Sequence, residues 1–288
     1  MTATLAELAR QAADRLRNRL SPEQNAALDA EVLARHVLGW DRARWLAGNR
    51  SAPPSGFAAA FEAAVDRRAQ GEPVAYITGT REFWSLDFEV TPAVLIPRPE
   101  TEILVEESLK VVDRIAGGAA LQGSRITIAD VGTGSGCIAI ALAHSRPFLH
   151  VLATDVSGDA LEVARRNAAR HLVADRVDFI ETAVLDGIGD VDVVVSNPPY
   201  IGAQDEAGVM RDVREYEPHA ALFSGTDGLD VIRGLLTAVR ARDSVRALLF
   251  EFGGNERAIR EAVGASGLRV VEVVKDLAGT PRIAVVER

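Results

Sequence analysis

The chain has 288 residues, 48% of them hydrophobic and 25% charged, with 41 acidic against 32 basic side chains and a formal net charge of -9. That is room for one large domain plus a small one, and the acidity counts against a nucleic-acid partner, whose phosphates draw affinity from Lys and Arg. A single cysteine, Cys137, excludes an internal disulfide and any multi-cysteine zinc site, and no run approaches the roughly 18 uninterrupted apolar residues of a membrane span.

The first twenty residues set Glu7, Asp14 and four arginines among apolar positions, which is not the composition of a signal peptide. A cytoplasmic location and a monomer are expected, with no membrane association. Ser21-Pro22-Glu23-Gln24 spells a helix start: Ser21 can cap, Pro22 suits the first helical position, and Gln24 completes a capping box. Ala30, Leu33 and Val37 follow at helical spacing and Gly39 is a natural stop. Residues 51–56 read as a loop and residues 57–70 as a further helix. A small N-terminal helical domain is therefore expected over residues 1–72. From Pro73 short segments rich in aromatic and β-branched residues, at 74–78, 83–90 and 94–96, predict strands of a β-hairpin connector over residues 73–98.

Residues 99–288 form the remaining domain. Ile96-Pro97-Arg98-Pro99-Glu100-Thr101 leads into a helix carrying Ile103, Leu104, Val105, Leu109 and Val112. Beyond Gly123 the chain alternates, with strands predicted at 126–131, 149–155, 177–180, 191–196 and 245–252. Helices are predicted at 137–144, 159–171, 229–242 and 256–265. Two last strands, 269–275 and 282–287, are expected to pair antiparallel at one edge. The order is that of an α/β fold with a doubly wound, mostly parallel sheet.

Asp130-Val131-Gly132-Thr133-Gly134-Ser135-Gly136 joins the first of these strands to its helix. Glycines permit a tight turn and close approach of a ligand to the backbone. The helix N-terminus behind them offers amide donors and partial positive charge, and ligands of such sheets bind where strand order reverses. The next strand ends in Asp155, where a ribose diol would lie, so the pair suits a nucleoside cofactor. The spacing is G-x-G-x-G and not the G-x-G-x-x-G of dinucleotide sites, which favours S-adenosylmethionine (SAM). Asp130, before the turn, suits the cationic end of that molecule. Cys137 has no His or Lys near it in sequence to lower its pKa and reads as a small core residue.

Asn197-Pro198-Pro199-Tyr200 follows the apolar strand at 191–196. Two prolines hold the backbone extended and leave its carbonyls free of any helix. Asn197 Oδ1 and the Pro198 carbonyl are then acceptors for two N–H groups, and Tyr200 offers a flat face. Such a pair of acceptors suits methylation of a planar amide or amine nitrogen, whose lone pair is delocalised. It orients the nitrogen and stabilises positive charge as the methyl arrives. The five histidines, His36, His144, His150, His171 and His219, form no triad or metal spacing, so no metal is expected.

With these residues in view, nearly the whole chain resembles the HemK-type release factor glutamine methyltransferases. The resemblance rests on the helical N-terminus, Arg81-Glu82-Phe83-Trp84, Leu95-Ile96-Pro97-Arg98-Pro99-Glu100-Thr101, the glycine turn, Asn-Pro-Pro-Tyr and Lys275-Asp276-Leu277-Ala278-Gly279. Asn-Pro-Pro-Tyr is shared with adenine-N6 enzymes; the Ile96-Pro97-Arg98-Pro99-Glu100-Thr101 and Lys275-Asp276-Leu277-Ala278-Gly279 segments point to this family. The resemblance implies a Rossmann-like SAM-dependent methyltransferase sheet behind a small helical domain, and methyl transfer to the glutamine N5 of the Gly-Gly-Gln motif in peptide chain release factors. It implies that Gly132, Thr133, Gly134, Ser135, Gly136 and Asp155 hold SAM, and that Asn197, Pro198, Pro199 and Tyr200 hold the glutamine amide. The N-terminal domain and the loop at Arg98 would dock the protein substrate. The chain departs from the family at Thr182-Ala183-Val184, which lacks the carboxylate often found near adenine, leaving backbone groups and Val184 for that contact. Glu251-Phe252-Gly253 has a family counterpart and reads as structural. Two other readings compete: an adenine-N6 nucleic-acid methyltransferase, which needs a basic cleft for a flipped base, and a SAM-fold binding protein without catalysis.

Overall fold

The computed structural model describes residues 3–21, 24–117 and 125–288. The chain forms two compact units, one running to Thr80 and including Met210–Tyr216, the other made of Arg81–Val209 and Glu217–Arg288.

The first unit is helical: α1 (Leu5–Arg17), α2 (Ala26–Leu38), α3 (Arg42–Gly48), α4 (Phe57–Ala69) and α5 (Val74–Thr78). The start of α1 is a true capping box, with Thr4 Oγ1 accepting from the Glu7 amide and the Glu7 carboxylate accepting from the Thr4 amide. The expected box at Ser21 is not the start of α2. Ser21 and Gln24 close a turn ahead of the helix, and Asn25, a strong cap former, accepts from the Leu28 amide; Pro22 and Glu23 lie outside the described residues. Leu5, Leu16, Leu33, Trp45, Phe57 and Phe61 make the core. Arg68, 4% exposed, pairs with Asp29 at 2.7 Å and lies 3.7 Å from Asp212, which belongs to the short helix Arg211–Tyr216. Tyr216 donates its hydroxyl to the Gln70 carbonyl. A segment more than a hundred residues away in sequence thus completes this unit.

Residues 74–78 are helical, not a strand. Pro73 starts the turn by accepting from the Tyr76 and Ile77 amides, Tyr76 and Ile77 are buried, and Gly79 ends it at φ +73°. Burial overrides β-branched propensity here. Residues 94–96 are not a strand either: the Val94 amide closes a turn on the Thr91 carbonyl. Of the predicted connector only the hairpin of β1 (Thr80–Phe83) and β2 (Leu86–Glu89) forms. Trp84 and Ser85 turn it with φ of +55° and +59°, a geometry usually left to Asn-Gly. Glu102 accepts from the Trp84 amide and the indole donates to Ser145, fastening the turn from two sides.

The second unit continues through α6 (Thr101–Ala116), β3 (Ile126–Val131), α7 (Cys137–Ser145), β4 (Leu149–Asp155), α8 (Gly158–Arg170), β5 (Val177–Glu181) and β6 (Val193–Ser196). After the short helix of the first unit, α9 (Arg211–Tyr216), come α10 (Asp230–Arg240), β7 (Ala247–Glu251), α11 (Glu256–Ala265), β8 (Arg269–Lys275) and β9 (Pro281–Glu287). Among the described residues the large sheet has seven strands in the order β5-β4-β3-β6-β7-β9-β8. The first five are parallel; β9 runs antiparallel between β7 and the edge strand β8. Side-chain alternation splits the core. Ile128, Val151, Val193 and Leu249 face α6 and α7, while Ala129, Val194, Leu248 and Phe250 face α10 and α11. Strand order reverses between β3 and β6, so the segments leaving their carboxyl ends converge.

Candidate active site

The glycine turn leaves β3 in three left-handed steps, at Gly132, Gly134 and Gly136, with φ of +73°, +54° and +81°. Its start is clamped to β4, because the amides of Gly132 and Thr133 both donate to the Thr154 carbonyl at 2.9 Å. Gly136 is pressed from beneath: a Cβ there would stand 2.9 Å from Ile140 Cδ1 and 3.1 Å from Ala164 Cβ. Gly132 and Gly134 instead have open space where a Cβ would go. Asp155 braces the turn from the side, accepting from the Gly134 amide at 2.9 Å and from the Ser157 amide at 3.0 Å.

Asp130 is fully buried behind the turn. One oxygen accepts from the Thr133 hydroxyl at 2.6 Å and the Ala139 amide at 3.1 Å; the other, Oδ1, has no partner among the described residues. Burial pushes its carboxyl up to about 7, against the opposing pull of those two donors. Asp130 does not line the cavity: it stands behind the turn and ties Thr133 to the start of the helix through the Thr133 hydroxyl and the Ala139 amide. Cys137 is buried, and burial pushes its thiol up to about 12.

Above the turn lies a cavity of about 380 Å³, within the range of ligand pockets. Gly132, Thr133, Gly134, Ser135 and Asp155 line it on one side, and Asn197, Pro199, Thr101 and Arg98 on another. Thr182, Ala183 and Val184 also line it, so no carboxylate enters from the segment after β5. Val184 takes φ +53°, which is costly for a β-branched residue, and Thr154 donates its hydroxyl to the Val184 carbonyl.

Pro198 and Tyr200 are not part of the cavity wall. Pro198 is buried, and the Tyr200 ring lies against Gly253, where a Cβ would come within 3.0 Å of it. The Tyr200 hydroxyl is 3.4 Å from Glu251 Oε1, and burial, followed by that carboxylate, pushes the phenol's pKa up. The sequence names Thr101 only within the loop before α6 and reads Glu251 as structural; the structure sets the two in a chain of hydrogen bonds behind Asn197. The Asn197 amide Nδ2 donates to Thr101 Oγ1 at 3.1 Å, and Thr101 donates to Glu251 Oε2 at 2.7 Å. An acid ending the strand beside β6 was the available signal. Among the described residues no group of His, Cys, Asp and Glu is disposed to hold a metal, and no helix is long and apolar enough to cross a membrane.

A doubly wound sheet with a glycine turn and an Asn-Pro-Pro-Tyr strand end meeting at the order reversal defines a Rossmann-like methyltransferase domain. Comparison with known proteins narrows this. Residues 7–79 match the family described as PrmC N-terminal domain and residues 119–215 the family described as Methyltransferase small domain. The chain is 41% identical to the release factor glutamine methyltransferase of Xylella fastidiosa (strain 9a5c), over 91% of this chain and 94% of that one. It is 42% identical to that of Burkholderia pseudomallei, over 89% and 90%. The chain belongs to the release factor glutamine methyltransferase family and is a methyltransferase. Among solved structures, the hMettl16 catalytic domain in complex with a MAT2A 3'UTR hairpin matches at a TM-score of 0.56 and 18% identity, over 78% of this chain and 81% of that one. The N-terminal domain of human METTL16 in complex with SAH matches at 0.51 and 17%, over 79% and 83%. These two share the fold.

Proposed function

We propose that the chain transfers a methyl group from SAM to the side-chain amide nitrogen, N5, of the glutamine in the Gly-Gly-Gln motif of class-one peptide chain release factors. It would act in the cytoplasm, as a monomer, on translation termination. The observation that carries the reading is the meeting of Asn197 and the Gly132–Gly134 turn across one cavity.

The residues fit the cofactor. Open space over Gly132 and Gly134 admits a ligand against the backbone, Asp155 stands at the end of β4, and the buried Asp130 Oδ1 behind the turn has no partner among the described residues. Gly132, Thr133, Gly134, Ser135 and Asp155 would hold SAM, with Gly136 packing the turn onto Ile140 and Ala164 and the apolar Val184 against adenine. Bound there, SAM supplies a methyl activated by its sulfonium.

Asn197 Oδ1 and the Pro198 carbonyl, which the chain carries between the cavity-lining residues Asn197 and Pro199, would accept the two N–H groups of the glutamine amide. That grip aims its nitrogen and favours loss of planarity, and the two acceptors stabilise positive charge growing on it. No strong base is needed, because the proton can leave to solvent after transfer. Pro199 keeps this segment extended and Tyr200 anchors its far end. Arg98 and the helical unit dock the release factor. The nucleic-acid alternative is not favoured: a net charge of -9 suits it poorly.

Labelled SAM, offered with a release factor, its Gly-Gly-Gln→Gly-Gly-Ala variant, DNA and RNA, tests the proposal. Label entering only the intact release factor, with one methyl on the glutamine by mass spectrometry, supports it. Label in nucleic acid would overturn the substrate and keep the methyl-transfer chemistry.

A further inference from the structure

We propose that Thr101 and Glu251 are positioning residues that decide which end of the Asn197 amide faces the reacting nitrogen. The inference rests on the reading above, that Asn197 Oδ1 accepts a substrate N–H.

An asparagine amide has a donor end and an acceptor end of nearly the same shape. Only the acceptor end can hold a substrate N–H, so a flipped Asn197 would present its own N–H groups to those of the glutamine. Something must break the symmetry, and the chain of hydrogen bonds behind Asn197 does so. Thr101 has one hydroxyl proton, and it goes to Glu251 Oε2 at 2.7 Å. Toward Asn197 the hydroxyl can then only accept, and it takes Nδ2–H at 3.1 Å. The oxygen of the amide is left for the cavity.

Thr101 and Glu251 are each 1% exposed, so water has little access to replace either partner. A flipped amide would set two acceptors against each other in a dry site. Thr101 is the first residue of α6, Glu251 the last of β7, and Asn197 directly follows β6, the strand paired with β7. The second oxygen of Glu251 meets the Tyr200 hydroxyl at 3.4 Å, so one carboxylate touches the Tyr200 end of Asn-Pro-Pro-Tyr directly and the Asn197 end through Thr101.

The test compares Thr101→Val, which keeps shape but has no hydroxyl, Thr101→Ser, which keeps the hydroxyl, and Glu251→Gln, whose amide can donate and turn the relay around. Each is assayed for kcat and KM with the release factor, for SAM affinity by calorimetry and for melting temperature. The Asn197 side-chain N–H signals are followed by NMR without cofactor, assigned by their loss in Asn197→Ala. We expect Thr101→Val and Glu251→Gln to lower kcat at least tenfold at unchanged SAM affinity and to shift those signals, with Thr101→Ser close to wild type. Thr101→Val should add nothing in the Asn197→Ala background. Thr101→Val within twofold of wild-type kcat, or losses that multiply in the double variant, would overturn the inference while the Asn197 reading stands. Full kcat in Asn197→Ala would overturn that reading as well. If Thr101→Val does not fold, Glu251→Gln decides by the same twofold criterion.

Discussion

Arg98 and Glu217 form an ion pair at 2.6 Å across 119 positions of sequence, and the other oxygen of Glu217 accepts from the Ile96 amide at 3.1 Å. The Glu217 side chain is 1% exposed and that of Arg98 30%. The carboxylate is thus a buried post to which the loop before α6 is tied, and the guanidinium it holds lines the cavity. Arg98→Ala is expected to raise KM for the release factor about tenfold, the equivalent of one charge-assisted hydrogen bond of roughly 1.5 kcal/mol, with SAM affinity unchanged. Glu217→Gln should raise the same KM and lower stability by about 1–2 kcal/mol, since the freed Arg98 regains water. Steady-state kinetics and melting curves check both; an unchanged KM in both variants would remove Arg98 from substrate docking.

Asp130 predicts a pH dependence of definite sign. Burial lifts its carboxyl to about 7 in the folded chain, against about 3.9 when unfolded. The native state therefore holds a proton that the unfolded state releases. The stability this contributes is complete below about pH 4 and is lost as pH rises toward and through 7. Asp130→Asn, which cannot ionise, escapes the loss. Its melting temperature minus that of wild type is expected to climb as pH goes from 4 to 8. A flat difference across that range would mean that Asp130 is ionised throughout.

The three glycines of the turn are expected to fail in different ways. Each pays for a side chain at positive φ with about 1–2 kcal/mol. At Gly136 an alanine also drives into Ile140 and Ala164, so Gly136→Ala should show the largest drop in melting temperature. Gly132→Ala and Gly134→Ala meet nothing and should melt closer to wild type while losing SAM affinity, because their Cβ would enter the open space of the proposed cofactor site. Calorimetric SAM binding beside thermal melting separates the two patterns; equal melting losses at all three positions would contradict the packing argument.

Cys137 should be inert while the chain is folded. Its thiol is pushed up to about 12, mainly by burial and then by the nearby Asp130 charge, and only the thiolate reacts. Iodoacetamide at pH 8 is expected to leave the native protein unlabelled and to modify it in guanidinium, where the thiol returns to about 8.5. Rapid labelling under native conditions would show that the helix start at Cys137 opens.

Much of this protein is local and was open to reading. The alternation of strand and helix from residue 126 onward follows from β-branched runs and helical periodicity, and the element ends differ by about two residues or fewer. Gly132, Gly134, Asp155 and Asn197 announced themselves by residue type and by position at strand ends, and all line one cavity. Where local signals conflicted, packing decided. Residues 74–78 have strand composition, yet bury Tyr76 and Ile77 as a helical turn. The short helical turns at Ala203–Gly208 and His219–Ala221 have no periodic pattern to betray them.

The sequence by itself determined the doubly wound sheet, the glycine turn and the acceptor-bearing strand end, because each depends on neighbours within a few residues. Only the tertiary structure decided what stands behind them. Thr101 meets Asn197 across 96 positions and Glu251 across 150, and Glu217 reaches Ile96 across 121. Such buried hydrogen bonds leave no periodicity in the chain; they exist because parallel strands bring their carboxyl ends together, and a polar group left there without water must find its partner on another strand or helix.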